Sequence, residues 1–160
     1  MKRIKQLFFL SVSGVFCIAL PPPVTLLADA SPLLVVVSKA TGIRDISKSD
    51  LRRAFLGELT VVQGIRLVPL NQPPGTAPRA HFDRQVLGVE PDRIGAFWIN
   101  RRIRDQTPPP RTLPTESLTA RVVAALPGAI SYVAPESLNP GLVAVSIDGD
   151  GPGSHGYLLR

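Results

Sequence analysis

Cysteine and histidine are nearly missing from this chain. One cysteine, Cys17, and two histidines, His81 and His155, occur in 160 residues. A disulfide framework, a cysteine-rich zinc site and an iron–sulfur cluster each need several thiols and are excluded. No H-E-x-x-H is present, which removes a zinc hydrolase of that kind. There is no G-x-S-x-G elbow and no histidine beside an evident carboxylate motif, so the chain is expected not to be an enzyme. Asp148-Gly149-Asp150-Gly151 has the opening of a calcium loop but lacks its later ligands. No metal and no cofactor is expected. Charge is also sparse. Charged residues make up 19% against 44% hydrophobic, a balance that demands a buried core and argues against disorder. The length suits one domain or two small lobes.

What is present begins with a targeting signature. Lys2, Arg3 and Lys5 precede an uncharged, mostly apolar run at 7–20, and Pro21-Pro22-Pro23 interrupts any helix there. Ala28-Asp29-Ala30 fits the small-x-small rule of signal peptidase, so residues 1–30 are expected to be a signal peptide cut near Ala30. The alternative is an uncleaved anchor, but the apolar run is shorter than the ~20 residues a span needs. Cys17 would leave with the peptide. The formal charge of +6 would ordinarily raise nucleic acid as a partner. Export argues against that and leaves a small anion or an anionic envelope surface.

Residues 31–147 read as one α/β domain, a mixed sheet flanked by helices. Leu33-Leu34-Val35-Val36-Val37 is a continuous β-branched run, the pattern of a strand buried on both faces. Ser47 and Asp50 mark a helix start, Leu51, Ala54 and Phe55 share its face, and Gly57 stops it. A turn is expected at Gln63-Gly64, a strand over 65–70 and a loop over 71–78. A helix from Thr76 carries Phe82 and Val86 and stops at Gly88. Pro91 opens another helix, with Ile94, Phe97 and Trp98 inward and Arg101, Arg102 and Arg104 at its end. Residues 106–114 hold four prolines and read as an extended linker. A helix from Thr115 or Glu116 is expected to bury Leu118, Val122, Ala125 and Leu126. Strands follow at 129–133 and 142–147, and the glycine-rich stretch 148–160 reads as a flexible tail. Strands alternating with helices predict a sheet covered by helices.

Several of these pieces occur in a familiar order. Ala54-Phe55-Leu56-Gly57, Gln63-Gly64-Ile65, Val68-Pro69, Gly75-Thr76 with Arg79 and Phe82, Val86-Leu87-Gly88, Phe97-Trp98 and Pro127-Gly128-Ala129-Ile130-Ser131-Tyr132-Val133 follow one another. This order resembles the phosphate-binding periplasmic proteins of ABC transporters, above all their short exported relatives. The resemblance implies a reduced type-2 periplasmic-binding-protein-like fold and a periplasmic location. It implies a solute-binding protein for a small oxyanion, phosphate by resemblance, that feeds an ABC permease or acts as a sensor. Full-length members close two α/β lobes over the anion.

By the same resemblance, two loops match the ligand positions. One is 38–42, with Ser38, Thr41 and Gly42. The other is 72–76, with Gln72, Gly75 and Thr76 at a helix mouth, where backbone amides and the positive end of the dipole converge. Thr76 can donate its hydroxyl to a ligand or cap its own helix. Arg79, one turn in, can reach back to an anion or stand as a solvated helix charge. Asn71, Gln72 and Pro74 stand where relatives usually carry a basic residue and a serine. That departure favours a second reading, a ligand-free interaction module that docks an envelope protein through the arginine-rich surface around Arg101–Arg104 and Arg111.

Overall fold

The computed structural model describes residues 31–160; the signal-peptide expectation for 1–30 lies outside the described residues. The apolar run that opens the domain forms strand β1 (Leu34–Ser38) inside a five-stranded mixed sheet. β2 (Asp45–Ile46) and α1 (Lys48–Phe55) follow, then a hairpin of β3 (Val61–Val62) and β4 (Ile65–Arg66). Next come β5 (Val68–Asn71), α2 (Ala77–Phe82), a single π-turn over Asp83–Leu87 and α3 (Ile94–Asp105). The chain closes with β6 (Arg111–Thr112), α4 (Glu116–Ala125), β7 (Ala129–Val133), β8 (Leu142–Ala144) and β9 (Ser146–Ile147).

The sheet order is β6-β5-β7-β1-β8. β7 is buried along its whole length and is the axis of the fold. β1 runs antiparallel to it, with Leu34 opposite Val133 and Val37 opposite Ile130. β5 runs parallel to it, with Val68 opposite Ala129. β1 and β5 therefore point in opposite directions, which matters below. Side chains alternate between two cores, as a two-residue period requires. Val35, Val37, Ile130 and Tyr132 face α1, α2 and the C-terminal segment, with Phe55 and Phe82 in the same core. Val36, Ala129 and Val133 face α4. An uninterrupted apolar strand is what a sheet covered on both faces demands.

Local signals account for most element ends. The Ser47 hydroxyl accepts from the Asp50 amide at 3.0 Å and starts α1. Gln63 and Gly64 both take positive φ, 50° and 77°, the pattern of a tight hairpin turn. Gly88 terminates the helical run in the left-handed conformation.

Four expectations are corrected. The strand expected over 65–70 is two strands, broken where the Leu67 amide turns to bond Thr60 at 2.8 Å, and Asn71 belongs to β5 and not to a loop. The proline linker docks as an edge strand, with Leu70 opposite Arg111 and Asn71 opposite Thr112. This pairing begins one residue past Pro69, whose nitrogen has no hydrogen to give a ladder. On α4 the buried residues are Thr119, Ala120 and Val123, while Leu126 is 40% exposed. Small residues there let the helix lie close to the sheet, near enough for the Ser38 hydroxyl to bond the Ala124 carbonyl at 3.1 Å. Leu118, Val122 and Leu126 instead line a groove of about 290 Å³ over Val68, Leu70 and Leu113.

The fourth correction concerns 148–160, which is not a loose tail. Tyr157 and Leu159 are buried in the larger core. The Leu159 carbonyl accepts from the Leu33 amide at 2.8 Å. The Tyr157 hydroxyl accepts from the Val35 amide at 3.0 Å and donates to the Val145 carbonyl at 3.2 Å. It thus bridges β1 to the chain just past β8. Burial pushes the Tyr157 phenol up to about 12, so it stays a donor at ordinary pH.

Candidate functional site

The two loops matched by resemblance do not meet. Because β1 and β5 are antiparallel, their C-terminal ends lie at opposite ends of the sheet. Ser38 is level with Ala129 at the start of β7, and Gln72 is level with Val133 at its end. Four residues of strand separate them, roughly 13 Å at the usual rise. The first loop is also chemically occupied. Ser38 caps the short 3₁₀ turn after β1, accepting from the Ala40 amide. The Thr41 hydroxyl accepts from the Gly128 amide at 3.2 Å, and Gly42 supplies a left-handed stop at φ 79°. Ser38, Thr41 and Gly42 hold the β1 turn against the β7 start and leave the site.

Gln72, Gly75, Thr76 and Arg79 do come together, at the β5–α2 junction. Gln72 is clamped from every side. Its amide donates to the Tyr132 hydroxyl at 3.4 Å. Its side-chain nitrogen donates to the Tyr132 carbonyl at 2.9 Å and to Glu116 at 3.2 Å. Its carbonyl accepts from Arg79 Nη1 at 3.3 Å. Glu116 is fixed in turn by the Ala134 amide at 2.9 Å and by the Ser137 hydroxyl. Tyr132 stacks on Phe82 with ring centroids 4.0 Å apart.

Arg79 fits neither of its expected roles. It is buried, and its Nε sits 2.8 Å from both carboxylate oxygens of Asp83. It does not stand in solvent, and its charge is matched internally. Burial pushes the Asp83 carboxyl up, and the Arg79 charge opposes that shift. Burial also raises the Tyr132 phenol, so it remains protonated and donates to Asn71 Oδ1 at 3.3 Å.

Above this support lies an unusual helix start. Thr76 occupies the capping position of α2 but makes no side-chain cap. Its hydroxyl turns away and donates to the Pro73 carbonyl at 2.9 Å. No acidic residue lies in the first turn. The amides of Ala77 and Arg79 therefore have neither a hydroxyl cap nor a carboxylate, while Pro78 contributes no amide. Gly75 stands at φ 83° with open space where a Cβ would be. At the end of β5, where the loop begins, the completely buried Asn71 has a side-chain nitrogen without a partner.

Sequence reasoning missed Asn71, Asp83, Glu116 and Tyr132. A signal for one existed. Arg79, Phe82, Asp83 and Val86 are spaced i, i+3, i+4, i+7, so the position of Phe82 already put the charged pair on the buried face.

His81, on the same helix, is buried with Nε2 unpartnered. Burial lowers its imidazole below the ordinary 6.5, a hydrogen bond with the Leu159 backbone opposes this, and the Arg84 charge adds to the lowering. A depressed folded-state value means the unfolded chain takes up a proton first. Stability is therefore full above pH 6.5 and declines as pH falls below it. Denaturant midpoints between pH 7.5 and 5.5 are expected to show this decline, and His81→Leu is expected to flatten it.

The fold has clear structural relatives. An ABC-type phosphate transport receptor from Vibrio cholerae superimposes with a TM-score of 0.61 at 14% identity, over 76% of this chain and 48% of the receptor. A phosphate ABC transporter substrate-binding protein from Clostridium perfringens, solved with bound phosphate, gives 0.60 at 14% identity over 76% of this chain and 47% of that one. PstS from Borrelia burgdorferi gives 0.61 at 12% identity, over 81% and 54%. The chain has the periplasmic-binding-protein-like fold expected from its sequence, in partial form, and spans about half the length of these receptors. At the level of sequence, no family model and no curated protein matches. No helix among the described residues is long and apolar enough to cross a membrane.

Proposed function

We propose that the chain is a non-enzymatic solute-binding protein for a small oxyanion, with phosphate the first candidate. The anion sits where loop 72–76 enters α2. The observation that carries this reading is the uncapped start of α2. Amides and a helix dipole face a position with no carboxylate, and a left-handed glycine leaves the approach open. The orphan amide of Asn71 at the foot of the loop supports it. In this reading Arg79 positions the loop through the Gln72 carbonyl and is not a ligand. The protein works after export, in the periplasm with residues 1–30 removed, and delivers its ligand to an ABC permease or reports it as a sensor. Half-length coverage of the receptors fits a chain that supplies one wall of an anion site.

A second reading, a ligand-free interaction module, is favoured by one feature. Pro73, Pro74 and Pro78 remove donors around the loop, and the Thr76 hydroxyl is already engaged.

Calorimetric titration of phosphate and sulfate into the protein separates the two readings. Binding in the wild type is expected to fall by at least about tenfold in Gly75→Asp, the worth of one charge-assisted contact turned repulsive. Gly75→Asn carries a similar side chain without charge and also tolerates positive φ; it is expected to bind nearly as well as wild type. No heat with either anion at millimolar concentration would favour the interaction module.

A further inference from the structure

The inner side of α3 carries Trp98, which is buried, and Ile94 and Phe97, which pack partly into the larger core. Arg101 covers the Phe97 ring at 6.0 Å and pairs with Glu58 at 2.7 Å, completing the attachment. The outer side is a different surface. At 100° per residue, Ala96, Ile99 and Ile103 form a ridge opposite that attachment. Ile103 is 78% exposed and Ile99 62%, the highest values among the large apolar side chains that remain exposed in the described residues.

Arginines flank this ridge on both sides, Arg102 on one and Arg93 and Arg104 on the other. Asp105 engages Arg104 at 3.1 Å and Arg101 at 3.7 Å. Among the described residues, Arg93 and Arg102 have no carboxylate within ion-pair distance. A convex apolar ridge between unpaired cations is the arrangement of an interfacial helix, whose apolar side chains enter the acyl boundary while arginine stems reach lipid phosphates.

We propose that the outer face of α3 docks on an anionic lipid bilayer. Charge complementarity selects the partner, and shape supports it. The ridge is a projection with positive charge on both flanks, which suits a soft planar surface of negative charge. The expected export segment at 1–30 would bring the same chain to such a surface.

The test uses the full chain and two vesicle preparations, phosphatidylcholine alone and phosphatidylcholine mixed with phosphatidylglycerol. In Ile103→Trp, the new indole is expected to shift its emission to the blue on the anionic vesicles. It is also expected to be quenched by brominated acyl chains. High salt and pure phosphatidylcholine are expected to abolish both effects. Arg102→Glu combined with Arg104→Glu is expected to lower the vesicle partition constant by at least about 25-fold, since each basic residue adds about fivefold at an anionic surface. These positions are exposed, so the double variant is expected to stay cooperatively folded, with its thermal transition lowered only by the lost charge–dipole interaction at the helix end.

Co-sedimentation without a change at position 103 would mean that another segment, residues 1–30 included, holds the membrane, and would overturn the proposal. Equal binding to both vesicle types, or no loss in the double charge reversal, would overturn it as well. So would a protein that ignores vesicles but binds an acidic polypeptide through the same arginines.

Discussion

Asp83→Asn is expected to cost about 3–5 kcal/mol of folding stability, the usual result of removing one partner from a buried ion pair. The Arg79 side chain is only 6% exposed and that of Asp83 1%. Without the carboxylate, the guanidinium would keep only neutral neighbours, the Gln72 carbonyl at 3.3 Å among them, and no counter-charge. A buried cation cannot recover its hydration, so the loss exceeds that of an ordinary surface pair. The pair also costs desolvation to form, which is why burial raises the Asp83 carboxyl. Arg79→Met with Asp83→Leu removes both charges and keeps apolar volume, so it is expected to be more stable than Asp83→Asn alone. Urea denaturation decides this. A loss below about 1 kcal/mol in Asp83→Asn would place the pair with exposed ones and contradict its burial.

Ending the chain at Gly153 is expected to abolish cooperative unfolding. The deletion takes Tyr157 and Leu159 out of the core. Each buried side chain of that size is worth about 1.5–3 kcal/mol. It also leaves the Val35 amide, the Val145 carbonyl and the Leu33 amide without their partners, at about 1–3 kcal/mol for each that stays buried. Against a net stability of about 5–15 kcal/mol for a typical domain, little would remain. Tyr157→Phe isolates the hydroxyl and is expected to cost about 1–3 kcal/mol. Circular dichroism and hydrogen exchange at Val35 check both variants. A truncated chain that melts as sharply as wild type would restore the loose-tail reading.

Much of the fold was legible in the chain because its signals are local. The run Leu33–Val37 has no polar residue to offer water, so it had to be covered on both faces. Ser47, the Gln63-Gly64 turn and Gly88 each fix a backbone angle or satisfy an orphan amide by themselves. The order of those pieces also carried the likeness to phosphate receptors, which three solved structures bear out as a likeness of fold.

The candidate site was legible only in part. Loop 72–76 was singled out because Gly75-Thr76 before a helix is a local pattern that also matches the resemblance. Pairing it with 38–42 required strand direction, and no residue in β1 encodes that it runs against β5. The face of α4 failed for a related reason. Leu118, Val122 and Leu126 keep a helical period as regular as that of Thr119, Ala120 and Val123. The sheet selected the smaller set because it lets the helix approach more closely. Glycines in 148–160 hid two anchors, Tyr157 and Leu159, whose partners at Val35 and Leu33 lie more than a hundred residues away. The sequence by itself determined the elements, their caps and the buried strand, since those follow from neighbours along the chain. The tertiary structure decided which loops meet, which helix face is inside and which charges are paired, since each depends on desolvation by groups that sequence distance does not order.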